Sequence, residues 1–414
     1  MKIRPFKGYR PAAVYADKVA SRPYDVLDSD EAREEAKDNP WSFLNVVKPE
    51  ITLAGNVDHY SPEVYQAGSH NFLKLVDSGV FSQDKSDSLY IYELTMNGRS
   101  QTGIVACAAV ADYMQGKIKK HELTRPDKEN DRKNHVRVSM LNAEPVFFAY
   151  KAVPKLDDIV NTITATLPVY DFTADDGIRH RLWVVSEKTI IGQIVELFRV
   201  MPSTYVADGH HRTAAAALVG HELKQENPEH SGDEEYNYFL AVHFPDNQLE
   251  IFDYNRVVKD LNGHSAETFL KAIATAFNIS APSIEQHKPA QLHEIGMYLQ
   301  GKWYSLKAKT GTYNDNDPIG VLDVTILSEH ILEPVLNIRD LRTDKRIDIV
   351  GGIRGLGELE RRVNSGEMAV AFAMYPVSMQ QLMNIADNDL IMPPKVTWFE
   401  PKLRSGLVVH SLKD

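Results

Sequence analysis

The run Tyr205-Val206-Ala207-Asp208-Gly209-His210-His211-Arg212-Thr213, followed by four alanines, constrains this chain more than any other segment. An apolar stretch, a tight polar turn and an alanine-rich stretch predict a short strand that passes straight into a helix beginning near Thr213. That connection demands a sheet with a helix laid against it. It also leaves the first N–H groups of the helix unpaired at the positive end of its dipole. Gly209 lets the backbone approach a ligand, Arg212 offers a planar fork of donors to an oxyanion, and Asp208 can hold a divalent cation beside a phosphate. Taken together, Asp208, Gly209, His210, His211, Arg212 and Thr213 form a candidate phosphate site. A capped surface turn whose histidines happen to be neighbours is the plain alternative.

A chain of 414 residues has room for two or three domains. The pattern places one over 1–260, around the turn, and a second, C-terminal α/β domain over 261–414. The net charge of −11 argues against the nucleic-acid backbone as main partner, because that calls for a basic face. Cys107 is the only cysteine, which excludes an intramolecular disulfide, a cysteine-rich zinc site and a redox pair. It sits in an apolar run, Gly103 to Val110, where a buried, inert thiol is expected. The first residues hold no apolar stretch of signal-peptide length, and no later segment approaches the roughly 18 apolar residues of a membrane span. A cytoplasmic protein is expected.

Pro40 to Leu44 and Ser61 to Tyr65 resemble helix entries with proline near the first helical position. Leu89 to Met96 and Gln101 to Val110 are rich in β-formers, with the turn dipeptide Asn97-Gly98 between them. Pro145 to Tyr150 and Arg181 to Val185 predict buried strands. Tyr236 to Phe244 and Leu249 to Val258 are expected to pair as a hairpin around Pro245-Asp246-Asn247-Gln248. Gly220 to Asp233 predicts an exposed helix end and loop. Beyond Asn262, helices are expected at Ala266–Phe277, Val321–Leu336, Leu356–Val363 and Ser378–Ala386. Strands are expected at Trp303–Ala308, Ile347–Val350 and Met368–Met374. The class is α+β, although a doubly wound arrangement of the second part stays open.

Three further groups carry chemistry. Glu122, preceded by His121, is set among Lys117, Lys119, Lys120, Arg125 and Lys128, whose field would keep its carboxylate ionised. Beside a bound phosphate it can act as general base on a hydroxyl, and a solvated helix face is the alternative. The string Met392 to Leu407 combines prolines, two aromatics and three cations. It is either a flap that brings Lys395, Lys402 or Arg404 to an anion, or a strap docked on the core. Adjacent side chains such as His210 and His211 diverge and rarely ligate one ion, so zinc is not favoured. The glycine-rich Arg342 to Gly355 segment matches no phosphate-loop fingerprint.

The turn Asp208 to Arg212, His121-Glu122, Pro23-Tyr24-Asp25-Val26 and the Pro393 to Leu407 string resemble the domain-of-unknown-function family 1015 over nearly the whole chain. That family is similar to the ParB/sulfiredoxin-like superfamily and shares the aspartate-glycine-histidine-histidine-arginine turn with ADP-dependent free-serine kinases of archaea. The resemblance implies a ParB/sulfiredoxin-like N-terminal part. It implies Mg²⁺ at Asp208, nucleotide phosphates cradled by Gly209, His210, His211 and Arg212, and Glu122 as the base. His121, Lys395, Lys402 and Arg404 are further candidate anion contacts. The Glu122-to-Asp208 spacing is longer than the compact kinase arrangement, and Arg22 and Val396 replace a proline and a serine of the family pattern.

The leading expectation is therefore a kinase using ADP or ATP to phosphorylate a small hydroxylated metabolite, free L-serine first. The rival is a non-catalytic ParB-like nucleotide-binding regulatory protein. DNA is not an expected partner, since no basic helix-turn-helix is found, and no cysteine accompanies the turn for sulfiredoxin-like chemistry.

Overall fold

The computed structural model describes residues 1–55 and 57–413. Its contacts divide the chain into a first unit, Met1–Leu249 with Pro401–Asp414, and a second, Glu250–Glu400. The chain thus leaves the first unit after Leu249 and returns to it at Pro401. The terminal segment is tied in by backbone pairing: Tyr9 with Val409, Ser21 with Ser405, and His410–Ser411 with Leu141–Asn142.

The first unit is built on a mixed nine-stranded sheet. Its strands are β1 (Ile3–Arg4), β2 (Leu89–Met96), β3 (Arg99–Ala109), β4 (Ile118–Lys119), β5 (Val146–Tyr150), β6 (Tyr170–Thr173), β7 (Arg179–Val185), β8 (Thr204–Asp208) and β9 (Tyr238–Pro245). They run in the order β4-β8-β5-β9-β3-β2-β7-β6, with β1 against the end of β3. β4–β8 and β5–β9 are parallel and the other pairs antiparallel. The β2–β3 hairpin closes through Asn97 and Gly98, both at positive φ (52° and 80°), as a two-residue turn matched to strand twist requires.

The longer helices of this unit are α1 (Pro62–Asp77), α2 (Pro126–Ser139), α3 (Pro154–Thr164), α4 (Lys188–Arg199) and α5 (His210–Glu226). Leu156, Val160 and Ile163 of α3, and Ile191, Ile194 and Phe198 of α4, recur at helical spacing and pack with Ile91, Ile104, Val146 and Phe148 of the sheet. Each such buried side chain contributes about 1.5–3 kcal/mol relative to exposure. A separate cluster joins Phe43, Leu44, Phe72 and Phe81 with Val409 of the returning segment.

The second unit holds a six-stranded sheet of β10 (Tyr254–Val258), β11 (Phe277–Ile279), β12 (Glu294–Leu299), β13 (Lys302–Ala308), β14 (Ile347–Gly351) and β15 (Val370–Ala373). The order is β11-β13-β12-β15-β10-β14, antiparallel throughout, so this unit is α+β and not doubly wound. Helices α6 (Ala266–Ile273), α7 (Leu356–Asn364) and α8 (Met379–Asp387) accompany it.

Two expectations are corrected here. The strands on either side of Pro245–Gln248 do not form a hairpin: β9 is already flanked by β5 and β3, while β10 pairs in the second sheet. The helix expected over Val321–Leu336 is an α-helical turn, Asp323–Leu327, running into a π-helical turn, Ser328–Leu332. No described helix is long and apolar enough to cross a membrane.

Candidate functional site

The site grows from the end of β8. There the register against β5 shifts between Val206 and Asp208, so Ala207 is an extra, bulged residue. Such a bulge bends the strand and re-aims the following side chain, here Asp208. Gly209 then takes the left-handed conformation (φ 88°), and α5 starts at His210, three residues earlier than the sequence pattern suggests. The helix start carries no side-chain cap. Its opening N–H groups are therefore left for an external acceptor.

Asp208 is the electrostatic hub. Its Oδ2 accepts from Arg212 Nη2 at 3.0 Å, and its Oδ1 from Lys402 Nζ at 3.4 Å. Burial alone would raise its pKa, but Lys402 and then Arg212 outweigh that and hold it down at about 2. Arg212 is only 7% exposed, and its second arm donates to the Pro145 carbonyl at 2.7 Å. Despite burial, Asp25, Asp208 and Glu144 keep it firmly protonated. Arg212 is thus a strut within the turn, with its fork engaged, and Lys402 is the cation that the strap brings to Asp208.

His210 is buried, its Nδ1 lies 3.8 Å from Glu122 Oε2, and its Nε2 has no hydrogen-bond partner among the described residues. The His121 ring meets it edge-on with centroids 4.5 Å apart. Burial, reinforced by His121, pushes His210 well below the ordinary imidazole range, and burial lowers His121 to about 4 despite nearby Asp208. Both rings are neutral at physiological pH, so each can offer an N–H but not a positive charge. His211 turns away: its Nε2 accepts the Arg125 backbone N–H at 2.9 Å. Thr213 is fully buried and donates to the Gly209 carbonyl at 2.9 Å.

The fold brings His121, Glu122, Asp208, Gly209, His210, Arg212 and Lys402 together in the first unit. It does not bring Arg404 into this group, since its side chain pairs with Asp176 and reaches His180 Nε2 at 3.4 Å. Lys395 belongs to the second unit, where its carbonyl accepts from Arg256. No group of three or more His, Cys, Asp or Glu suited to a metal occurs among the described residues. The two oxygens of Asp208 are engaged by Arg212 and Lys402.

The sequence pattern gave no role to the charged layer beneath the turn. Arg132 pairs with Asp131 at 2.9 Å and with Glu144 at 3.5 Å, and its guanidinium lies 3.9 Å from the Tyr24 ring centroid. Glu144 also accepts the Tyr24 backbone N–H at 3.0 Å. Asp25 acts electrostatically on Arg212 and His211. The sequence signal for this layer is the Pro23-Tyr24-Asp25-Val26 motif.

Among solved structures, the chain is similar to a mutant free serine kinase in complex with AMP, at 10% identity over 73% of this chain and 91% of that one, with a TM-score of 0.38. It is similar to SbnI from Staphylococcus aureus with a C-terminal truncation, at 12% identity over 74% and 87%, with a TM-score of 0.39. A conserved hypothetical protein from Pyrococcus furiosus matches at 12% identity over 74% and 95%, with a TM-score of 0.36. No curated protein gives a significant match. The family model for proteins of unknown function DUF1015 matches residues 3–325, and the chain belongs to that family.

Proposed function

We propose that the first unit is a nucleotide-dependent kinase that transfers a phosphoryl group to the hydroxyl of a small metabolite, with free L-serine as first candidate. The observation that carries this reading is the meeting of Glu122 with the turn. Its carboxylate lies 3.8 Å from His210 Nδ1 and is 39% exposed, although the two residues are far apart in sequence. A partly open carboxylate beside an uncapped helix start pairs a candidate base with an anion-facing backbone.

In this reading the opening N–H groups of α5 and Lys402 take the phosphates of ADP or ATP. Glu122 receives the proton as the hydroxyl oxygen bonds to phosphorus, and the leaving nucleotide keeps the electrons of the broken P–O bond. The neutral rings of His121 and His210 donate hydrogen bonds without adding charge. Asp208 and Arg212 fix the frame, and magnesium enters with the nucleotide as part of the substrate. Phosphoryl transfer asks mainly for positioning and charge neutralisation, which this arrangement offers. The shared turn of the ADP-dependent serine kinases points the same way.

The test is phosphorus NMR of the purified protein with Mg²⁺ and ADP, ATP, CTP or pyrophosphate, with and without L-serine. Formation of phosphoserine is expected in one combination. Absence of phosphoserine and of nucleotide turnover in all of them would sink the serine-kinase reading. Tight nucleotide binding without turnover would favour the non-catalytic regulatory alternative.

A further inference from the structure

Two strand-to-helix connections lie side by side in the first unit. β4 and β8 run parallel, with Ile118 opposite Thr204 and Lys119 opposite Tyr205. Residues 120–125 join β4 to α2, and Gly209 joins β8 to α5. The two helices also meet: Lys133 of α2 pairs with Glu222 of α5 at 2.5 Å, and Arg137 pairs with Glu226. The loop that carries Glu122 is thus a neighbour of the turn that carries His210 and His211.

Both histidines contact this loop. His211 Nε2 accepts the backbone N–H of Arg125, the N-cap residue of α2, at 2.9 Å. A backbone N–H can only donate, so that Nε2 holds no proton and the ring proton is on Nδ1. His210 has its Nδ1 3.8 Å from Glu122 Oε2, while its Nε2 is buried without a partner. A proton on Nε2 would be a buried donor with nothing to accept it; on Nδ1 it faces a carboxylate. Catalytic hydrogen bonds commonly close from such distances once a substrate is bound. The ring of His121, in the same loop, stands edge-on to His210 at 4.5 Å between centroids.

We propose that His210 and His211 are positioning residues for the base: His211 grips the loop by its backbone, and His210 directs its ring proton at the Glu122 carboxylate. The catalytic consequence of this clasp rests on the kinase reading of Glu122 as general base. The phosphates then fall to the opening N–H groups of α5 and to Lys402, and both imidazoles hold the base. A hydrogen bond to the ionised carboxylate also favours the form that takes up a proton. Adjacent side chains diverge, and here one reaches a carboxylate while the other reaches an amide three residues further along the loop.

The experiment uses the full chain labelled with ¹⁵N-histidine at about pH 7, without substrate, and two-bond ¹H–¹⁵N NMR reads which ring nitrogen holds the proton. His210 and His211 should both be protonated on Nδ1, the rarer tautomer of free histidine. Their signals are assigned by their loss in His210→Asn and His211→Gln. The asparagine amide nitrogen stands where Nδ1 stood, and the glutamine amide oxygen where Nε2 stood, so each variant keeps the contact and loses the ring. Hydrogen exchange at the Arg125 amide should quicken about tenfold in His211→Leu and stay slow in His211→Gln. In phosphoserine formation, His210→Leu and His211→Leu should lower kcat by about 10- to 10²-fold at unchanged nucleotide affinity by calorimetry. The asparagine and glutamine variants should recover most of that loss. A proton on Nε2 of either ring, an Arg125 amide indifferent to His211→Leu, or leucine variants that weaken nucleotide binding and spare kcat would each overturn the proposal. An inactive parent protein would sink the kinase reading alone, and the tautomers and the Arg125 amide would still decide the clasp.

Discussion

Replacing Asp208 by Asn removes the negative charge that faces Arg212 and Lys402, and one of its two acceptor oxygens, and leaves the shape of the side chain almost unchanged. In the folded protein that carboxyl titrates at about 2, against an ordinary value of 3.8. At about 1.4 kcal/mol per pH unit, the difference corresponds to about 2 kcal/mol of stability. The side chain is 28% exposed, so solvent screening makes this an upper figure. The sign follows from the depressed value: the contribution is complete above pH 4 and is lost as the pH falls from there toward 2. Asp208→Asn should therefore be about 2 kcal/mol less stable than the parent at pH 7, with the gap closing below pH 4. Urea unfolding across pH 3 to 7 measures it, and amide hydrogen exchange in α5 reports the first unit alone. A loss under about 0.5 kcal/mol at pH 7, or a gap that does not shrink in acid, would refute the ion-pair argument.

Glu122→Gln should bind nucleotide as the parent does by calorimetry while phosphoryl transfer, read by phosphorus NMR, falls by about 10² to 10⁴. Full activity would remove Glu122 from the mechanism. Gly209→Ala forces a β-carbon into the left-handed region, 3.1 Å from the Arg212 guanidinium, and should cost about 1–2 kcal/mol in thermal unfolding. Gly220→Ala reverses the usual helix preference: alanine is intrinsically better by about 1 kcal/mol, yet its β-carbon would stand 2.3 Å from the Tyr236 carbonyl. A net loss of about 1–3 kcal/mol is expected by chemical denaturation, and a gain would show that α5 does not pack there as described.

Local signals in the sequence were reliable where one segment determined its own conformation. Asn97-Gly98 marked its hairpin because both residues tolerate positive φ, and Ser61-Pro62 marked the start of α1. The strand β12 is not announced by such a dipeptide: Gln300 and Gly301 close its hairpin with φ of 49° and 74°. Glutamine carries no turn signal that asparagine would have given. Pairings between distant segments were not legible. β9 and β10 are consecutive and β-rich, yet their partners are chosen by sheets that assemble from elsewhere in the chain. In the site, the turn itself could be read because strand, glycine and helix are contiguous. The burial that neutralises His121 and His210, and the engagement of Arg212 by the Pro145 carbonyl, depend on packing no single segment reveals.

The return of the chain to the first unit bears on the order in which the molecule is made. On a ribosome the second unit is synthesised before Pro401, so it can fold while the first unit still lacks Lys402, the Val409 partner of Tyr9 and the His410 partner of Asn142. The Asp208 carboxylate stays without its lysine until Lys402 emerges. The candidate site is thus completed only after the second unit has been synthesised. A nascent chain cut short after Glu400 would carry the whole turn without the cation that steadies it.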